Sequence, residues 1–238
     1  LVQLLARRIR SRTVNEPTFR ETLNVAVSVT SNGTTASVDG GNVKGLELDL
    51  NLHGFSGEVR IWVLSGPGED DYFELVTAAD LLYIDLKLAK ALYNIAAPPD
   101  PMKVSGLVTR RRIREVSSED LSGNPILYRE YTLAFCDTAK ALWSQHRPST
   151  VYSKVSLEKV IKENTPTGIA SDLSWSALKT TRPMVCLALG EDQASFYDFL
   201  FWIADKENGH IWHDYTSQTF TIAQGKPNAG TSAEFAPG

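Results

Sequence analysis

The chain has 238 residues, 42% of them hydrophobic and 22% charged, with a formal charge of -4. That is enough material for a substantial buried core, in one large domain or two modest ones. The acidic balance gives no global attraction to nucleic acid or an anionic membrane, and no run reaches the roughly 20 apolar residues that span a bilayer.

Cys136 and Cys186 are isolated thiols, without C-x-x-C spacing or the density of a disulfide scaffold, so assembly in a reducing compartment is expected. Residues 1–19 form a basic segment with Arg7, Arg8, Arg10 and Arg12. No apolar core follows it, so it does not read as a secretory signal. The sequence opens with Leu1 rather than Met, which is compatible with a portion of a longer polypeptide.

From about residue 20 to 137 the pattern alternates with a period of two. "LNVAVSV" places Leu23, Val25, Val27 and Val29 on one face, and "GLELDLNLHG" does the same with Leu46, Leu48, Leu50 and Leu52. "EVRIWVL" turns Val59, Ile61 and Val63 inward, and "YIDLKL" turns Ile84, Leu86 and Leu88 inward. Turn signals at Ser31-Asn32-Gly33, Asp39-Gly40-Gly41, Gly54 and Ser65-Gly66-Pro67-Gly68 separate these runs. "APPDP" at 97–101 breaks the chain. Two further strands follow, around 102–116 and 126–135, flanking the loop "SSEDLSGNP". Short, mostly antiparallel strands predict an α+β chain whose first domain is a β-barrel-type or strongly curved sheet.

The texture changes at 138. "TAKALWSQH" and "SLEKVIKEN" read as helices, the second capped by Ser156 with Leu157, Val160 and Ile161 on its apolar face. Residues 164–182 show little periodicity, so 138–190 reads as a helical and irregular connecting region, with a strand at "PMVCLAL". From 191 a helix is expected, with Glu191 and Asp192 in its first turn, an apolar stripe of Phe196, Phe199, Leu200 and Ile203, and a stop at Asn208-Gly209. "HIWHDY" and "TFTIAQ" then form a hairpin turning near Thr216-Ser217, which completes a segment over 191–224. Residues 225–238 read as a flexible tail.

Chemistry is sparse. His210, His213 and Asp214 bring imidazole and carboxylate together, but on a strand His210 and His213 point to opposite faces, and no third ligand or H-E-x-x-H pattern accompanies them. His53 and His146 fall in turn-like or loop-like sequence. No nucleophile elbow, phosphate loop or dinucleotide fingerprint occurs. Cys136 and Cys186 lie in apolar strand-like runs, where buried packing is expected. No catalytic residue, metal ligand or cofactor site is assigned. "TRRRIRE" puts Arg110, Arg112 and Arg114 on one strand face, suited to a lumen, a neighbouring subunit, a nucleic-acid contact or a solvated ion-paired surface, with no interleaved aromatic platform for single-stranded nucleic acid.

Residues 104–215 resemble the VgrG spike proteins of type VI secretion and the baseplate hubs of contractile phage tails. "VSGLVTRRRIREVS" is similar to that family's "F-x-G-x-V-t" strand, and "LYREYTLAF" to its "Y-x-l-x-l" strand. "ALWSQHRPSTVYSKVSLEKVIKEN" resembles the following "lw-L…s-r-i-F-q-d-x-s-v-x-e-I-i" segment. "GEDQASFYDFLFWIADKENGHIWHDY" resembles "y-x-E-s-d-x-d-F-l-x-R-l-l-e-e-e-G-i-x-y-y-f". Trp202 stands where that pattern has arginine, Ala204 to Lys206 is less acidic, and the first hundred residues match only in strand texture. A second complete barrel, an oligonucleotide-binding-type domain and a β-helical needle are not among these residues.

The resemblance implies the phage tail hub fold and a structural, non-enzymatic homotrimer. Its partners would be a hexameric tail-tube protein, a spike or needle domain and baseplate components, with no nucleic acid. It would be assembled in the cytoplasm and carried in a secreted or virion-associated apparatus. Within it, 191–224 begins a second hub domain, and the rings at 196–215 are core and interface residues. The alternatives are a β-rich hydrolase or effector using His210, His213 and Asp214, and a ligand-binding domain stacking on Trp62, Trp212 and Tyr215.

Overall fold

The computed structural model describes residues 21–66, 70–92, 101–119, 122–188 and 194–225. The basic N-terminal segment, most of the "APPDP" break, Pro67 and Gly68, part of the "SSEDLSGNP" loop, Glu191 and Asp192, and nearly all of the tail lie outside them. The chain divides into two compact units, residues 1–138 and 139–238.

Unit 1 contains β1 (Glu21–Ser31), β2 (Thr34–Val38), β3 (Val43–Asn51), β4 (Gly54–Leu64), the helix α1 (Tyr72–Thr77), β5 (Leu82–Leu92), β6 (Met102–Glu119) and β7 (Pro125–Asp137). The strands form one antiparallel sheet in the order β2-β1-β5-β6-β7-β4-β3. Asn32 and Gly33, at φ 47° and 79°, make the two-residue turn between β1 and β2, with both central residues in the left-handed region that suits the twist of the flanking strands.

Although β2 and β3 are at opposite edges, they are consecutive in the chain, joined through a 3-10 turn at Gly40–Asn42. Seven flat strands would span about 29 Å at the usual spacing. The link from Val38 to Val43 reaches at most about 18 Å. The sheet therefore curls until its edges approach at this corner, although no ladder joins β2 to β3 among the described residues, so no closed barrel forms.

The inner face is apolar: Val27, Val29, Val59, Ile61, Val63, Ile84, Leu86, Leu133 and Phe135 are all buried. Gly57 and Gly106 keep that face closed, because a Cβ on either would fall within 3.0 Å of the Phe135 or Phe55 ring. The alternation of "LNVAVSV" and "GLELDLNLHG" is real, but its ends are not covered. Leu23 is 57% exposed and Leu52 60%: β2 pairs with β1 only from Val27 onward, and Leu52 lies in the turn between β3 and β4.

Unit 2 contains α2 (Thr138–Trp143, entered from the last residue of unit 1), β8 (Ser149–Ser156), α3 (Leu157–Glu163), β9 (Ser171–Asp172), α4 (Ser176–Lys179), β10 (Thr181–Ala188), α5 (Phe196–Lys206), β11 (His210–Asp214) and β12 (Thr219–Ala223). β8 pairs with β10, and β12 lies between β11 and the two-residue β9. One core unites residues from Ala139 to Ile222. At its centre Trp143 meets Phe220 edge-on at 5.1 Å and Phe196 at 6.1 Å.

Helix α5 begins with a capping box: the Asp198 N–H donates to Ser195 Oγ, and Asp198 Oδ2 accepts from the Ser195 N–H. It ends where Asn208 turns left-handed at φ 58° and the Gly209 N–H donates to the Ala204 carbonyl. The segment 164–182, aperiodic in sequence, holds the short β9 and α4 and buries Leu173, Trp175 and Leu178.

Candidate functional site

On β6 the arginines divide between two faces. The register shifts between Val108 and Arg110, and beyond this bulge Arg110, Arg112 and Arg114 alternate with Arg111 and Ile113. Arg110, Arg112 and Arg114 therefore do share the outer face, each exposed to solvent.

Cross-strand registers convert that face into rows running from β6 across β7 to β4. Val116, Tyr128 and Leu64 make an apolar row, followed by Arg114, Glu130 and Trp62, then Arg112, Thr132 and Arg60, then Arg110, Ala134 and Glu58. The second row is fully connected. Glu130, only 5% exposed, takes Arg114 Nε at 2.7 Å and Nη2 at 2.9 Å through its two oxygens, and accepts the Trp62 indole N–H at 2.6 Å. This bidentate pairing holds the Glu130 carboxyl below its ordinary range, chiefly through Arg114, then through Trp62 and the nearby charge of Arg60. In the fourth row Arg110 meets Glu58 at 3.2 Å.

The third row differs. Arg60 and Arg112 are both exposed and make no ion pair among the described residues. The Arg60 guanidinium lies over Gly45 of β3, where a Cβ would come within 2.9 Å of Nη2, so the missing side chain provides its seat. Sequence reading found the β6 arginines, and Trp62 only as a stacking ring, but not Arg60 or Glu130; these residues are far away in the chain and adjacent only through register.

The inner side of the same ribbon anchors α1. Arg111 donates to the carbonyls of Val76, Ala78 and Asp80, which satisfies the C-terminal end of the helix. At its other end the Asp70 carboxylate is 2% exposed and accepts from Arg129 at 2.6 Å and from the Tyr131 hydroxyl at 2.5 Å. Burial and then the Asp70 carboxylate raise the Tyr131 pKa well above its ordinary value. Arg129 also covers the Phe73 ring at 4.4 Å.

The histidine candidates are not brought together. His210 is exposed, whereas His213 is 8% exposed on the opposite face of β11, edge-on to Tyr215 at 4.8 Å. Burial lowers the His213 pKa. Asp214 builds the hairpin turn by accepting the Thr216 and Ser217 N–H groups, and the first of these lowers its pKa. His146 bonds the Asn164 side chain at 3.0 Å, and the His53 N–H donates to Asn51.

Among the described residues no three His, Cys, Asp or Glu side chains are grouped to hold a metal. The burial expected of both cysteines is corrected: Cys136 is half-buried and Cys186 exposed, because each occupies the solvent-facing phase of its strand. Trp62 is tied down by Glu130, and Trp212 and Tyr215 are half-buried.

No family model matches this sequence, and no curated protein matches it. Solved structures do. A chain in the lidless structure of the Francisella PdpA–VgrG complex superposes with a TM-score of 0.64 at 16% identity, over 90% of this chain and 37% of that one. One in the half-lidded complex gives 0.62 at 16% identity, over 89% and 33%. The tail protein of Neisseria meningitidis MC58 gives 0.43 at 14% identity, over 83% and 50%. This chain thus spans about a third of the length of the Francisella chains it matches. The likeness establishes a shared fold over nearly the whole chain.

Proposed function

We propose that this chain is a structural hub segment of a contractile injection apparatus of the VgrG or phage baseplate type, joining a hexameric tube to a trimeric spike. The observation that carries this reading is the fold shared with Francisella PdpA–VgrG chains across unit 1 and unit 2 together. The ordered sequence resemblance over residues 104–215 supports it. In this reading unit 1, from about residue 20 to 137, is the first barrel-like domain, 138–190 connects, and 191–224 begins a second hub domain. The protein forms a homotrimer, carries out no covalent chemistry, and meets a tail-tube protein, a spike or needle domain and baseplate components. It is assembled in the cytoplasm and travels with the secreted or virion-borne particle. No helix among the described residues is long and apolar enough to cross a membrane.

The work of such a hub is symmetry matching, which requires extended protein surfaces rather than a pocket. The outer face of β6, β7 and β4 has the composition of an interface: Trp, Tyr and Arg around a buried, fully hydrogen-bonded carboxylate. Multi-angle light scattering over a concentration series tests the proposal. A stable species near three times 26.2 kDa is expected; a monomer throughout overturns the reading.

A further inference from the structure

Two sets of exposed charges of opposite sign, without an ion pair among the described residues, lie on unit 1. On the outer face Arg60 and Arg112 flank Thr132 in one row, exposed and without an ion pair among the described residues. Their neighbours Arg110 and Arg114 are already engaged by Glu58 and Glu130. Beside this row lies an apolar strip of Trp62, Tyr128 and the 42% exposed Leu64.

Around α1, Asp39, Asp71 and Glu74 are exposed and also make no ion pair among the described residues. Asp39 and Asp71 both act on the Tyr72 phenol, whose hydroxyl donates to the Ser37 carbonyl at 2.7 Å, so they share one neighbourhood. The 41% exposed Phe73 supplies an apolar group next to them.

Asp71 and Glu74 belong to the inner side of the sheet. Helix α1 is held by Arg111, Arg129 and Tyr131, which point inward. Arg112, Glu130 and Thr132 are the alternate residues of the same strands and point outward. The sheet therefore separates the arginines from Asp71 and Glu74, while Asp39 lies at the β2–β3 corner.

We infer that the Arg60–Arg112 face, with Trp62 and Leu64 beside it, docks head-to-tail onto the Asp39, Asp71 and Glu74 surface of a second copy of this chain. A contact of this kind uses different patches on its two sides, so each added copy leaves one patch of each sign open until a ring closes. Guanidinium and carboxylate neutralise each other, and the apolar strip and Phe73 exclude water around them. The inference rests on the homo-oligomeric hub reading and names the residues that would build its ring.

The test is a charge exchange in the full chain, read by light scattering and sedimentation velocity. Arg60→Glu with Arg112→Glu, and separately Asp71→Lys with Glu74→Lys, should each reduce the mass of a cyclic trimer about threefold. Each should keep the wild-type circular dichroism with only a small drop in melting temperature, because none of these side chains makes an ion pair among the described residues, although Arg60 is a cation near Glu130 and Glu74 lies in the first turn of α1. The variant carrying all four changes should recover the wild-type mass. An Arg112→Ala variant, with weaker association and an unchanged fold, guards against a double variant that fails to fold. If the wild type is a trimer and both double variants remain trimers, the inference is overturned while the hub reading stands. A monomeric wild type overturns both. A wild type whose larger mass disappears on nuclease treatment also overturns the inference, and assigns the arginines to nucleic acid.

Discussion

Both units bury aromatic rings, but they differ in how they bury charge. Unit 1 places charge beneath its sheet and over it: Asp70 between Arg129 and Tyr131 on the inner side, and Glu130 between Arg114 and Trp62 on the outer. Unit 2 centres on Trp143, in contact with Phe196 and Phe220, and sets His213, its pKa lowered by burial, against Tyr215. A curled sheet with a short helix fixed to it needs directional contacts to set that helix in place, and a charge-assisted hydrogen bond is directional. A compact set of short helices and strands around one core needs volume filled, which aromatic rings do, with the Trp143 indole N–H oriented by the Asn164 carbonyl.

The sharpest way to break this contrast is Asp70→Ala. It leaves the Arg129 guanidinium and the Tyr131 hydroxyl without their shared acceptor and releases the start of α1. A loss of about 3 kcal/mol is expected, within the range for removing one partner of a buried pair, and urea unfolding followed by tryptophan fluorescence measures it. Amide exchange should rise first in α1 and the adjoining β6–β7 ribbon, while unit 2 keeps its protection.

In unit 2 the corresponding disruption is steric. Gly209→Ala would place a methyl 2.3 Å from the Trp175 ring. Overpacking of this kind costs about 2 kcal/mol. The exchange response should be centred on α4, α5 and β11, and a cost close to zero would show that Trp175 is free to move.

The smallest effect is in the response to acid, and it separates the units by pH. The folded pKa of His213 lies below its ordinary 6.5, so the unfolded chain takes up the proton first. Its contribution to unit 2 is therefore present above about pH 6.5 and is lost as the pH falls through the folded value. Glu130 is also depressed, from 4.5, so its contribution to unit 1 persists to about pH 4.5 and is lost only below that. Acidification from pH 7 to 5 should thus loosen unit 2 before unit 1 in site-resolved exchange. His213→Phe should flatten the unit 2 response while leaving that of unit 1 unchanged.

How much of this was legible in the sequence depended on length and periodicity. The long alternating runs announced β1, β3, β4, β5, β6 and β7, and Ser156 and Asn208-Gly209 marked a true helix start and a true helix stop. Helix α1 and strand β2 were not legible. "YFELVT" is too short to show a period, and "TTASV" is a Thr- and Ser-rich edge strand with only Val38 buried. β8 and β9 were equally silent, since "STVYSKVS" puts one residue, Val155, fully into the core.

Local chemistry by itself determined which residues alternate, where helices are capped, and that Arg110, Arg112 and Arg114 share one face, because these follow from the stereochemistry of neighbouring residues. Only the tertiary structure decided which of those arginines is neutralised. Glu58 and Glu130 come from different strands, and the registers of β4, β6 and β7 bring them to Arg110 and Arg114 while leaving Arg112 beside Arg60. Pairing across a sheet is set by register, and register depends on the whole fold rather than on any one segment of it.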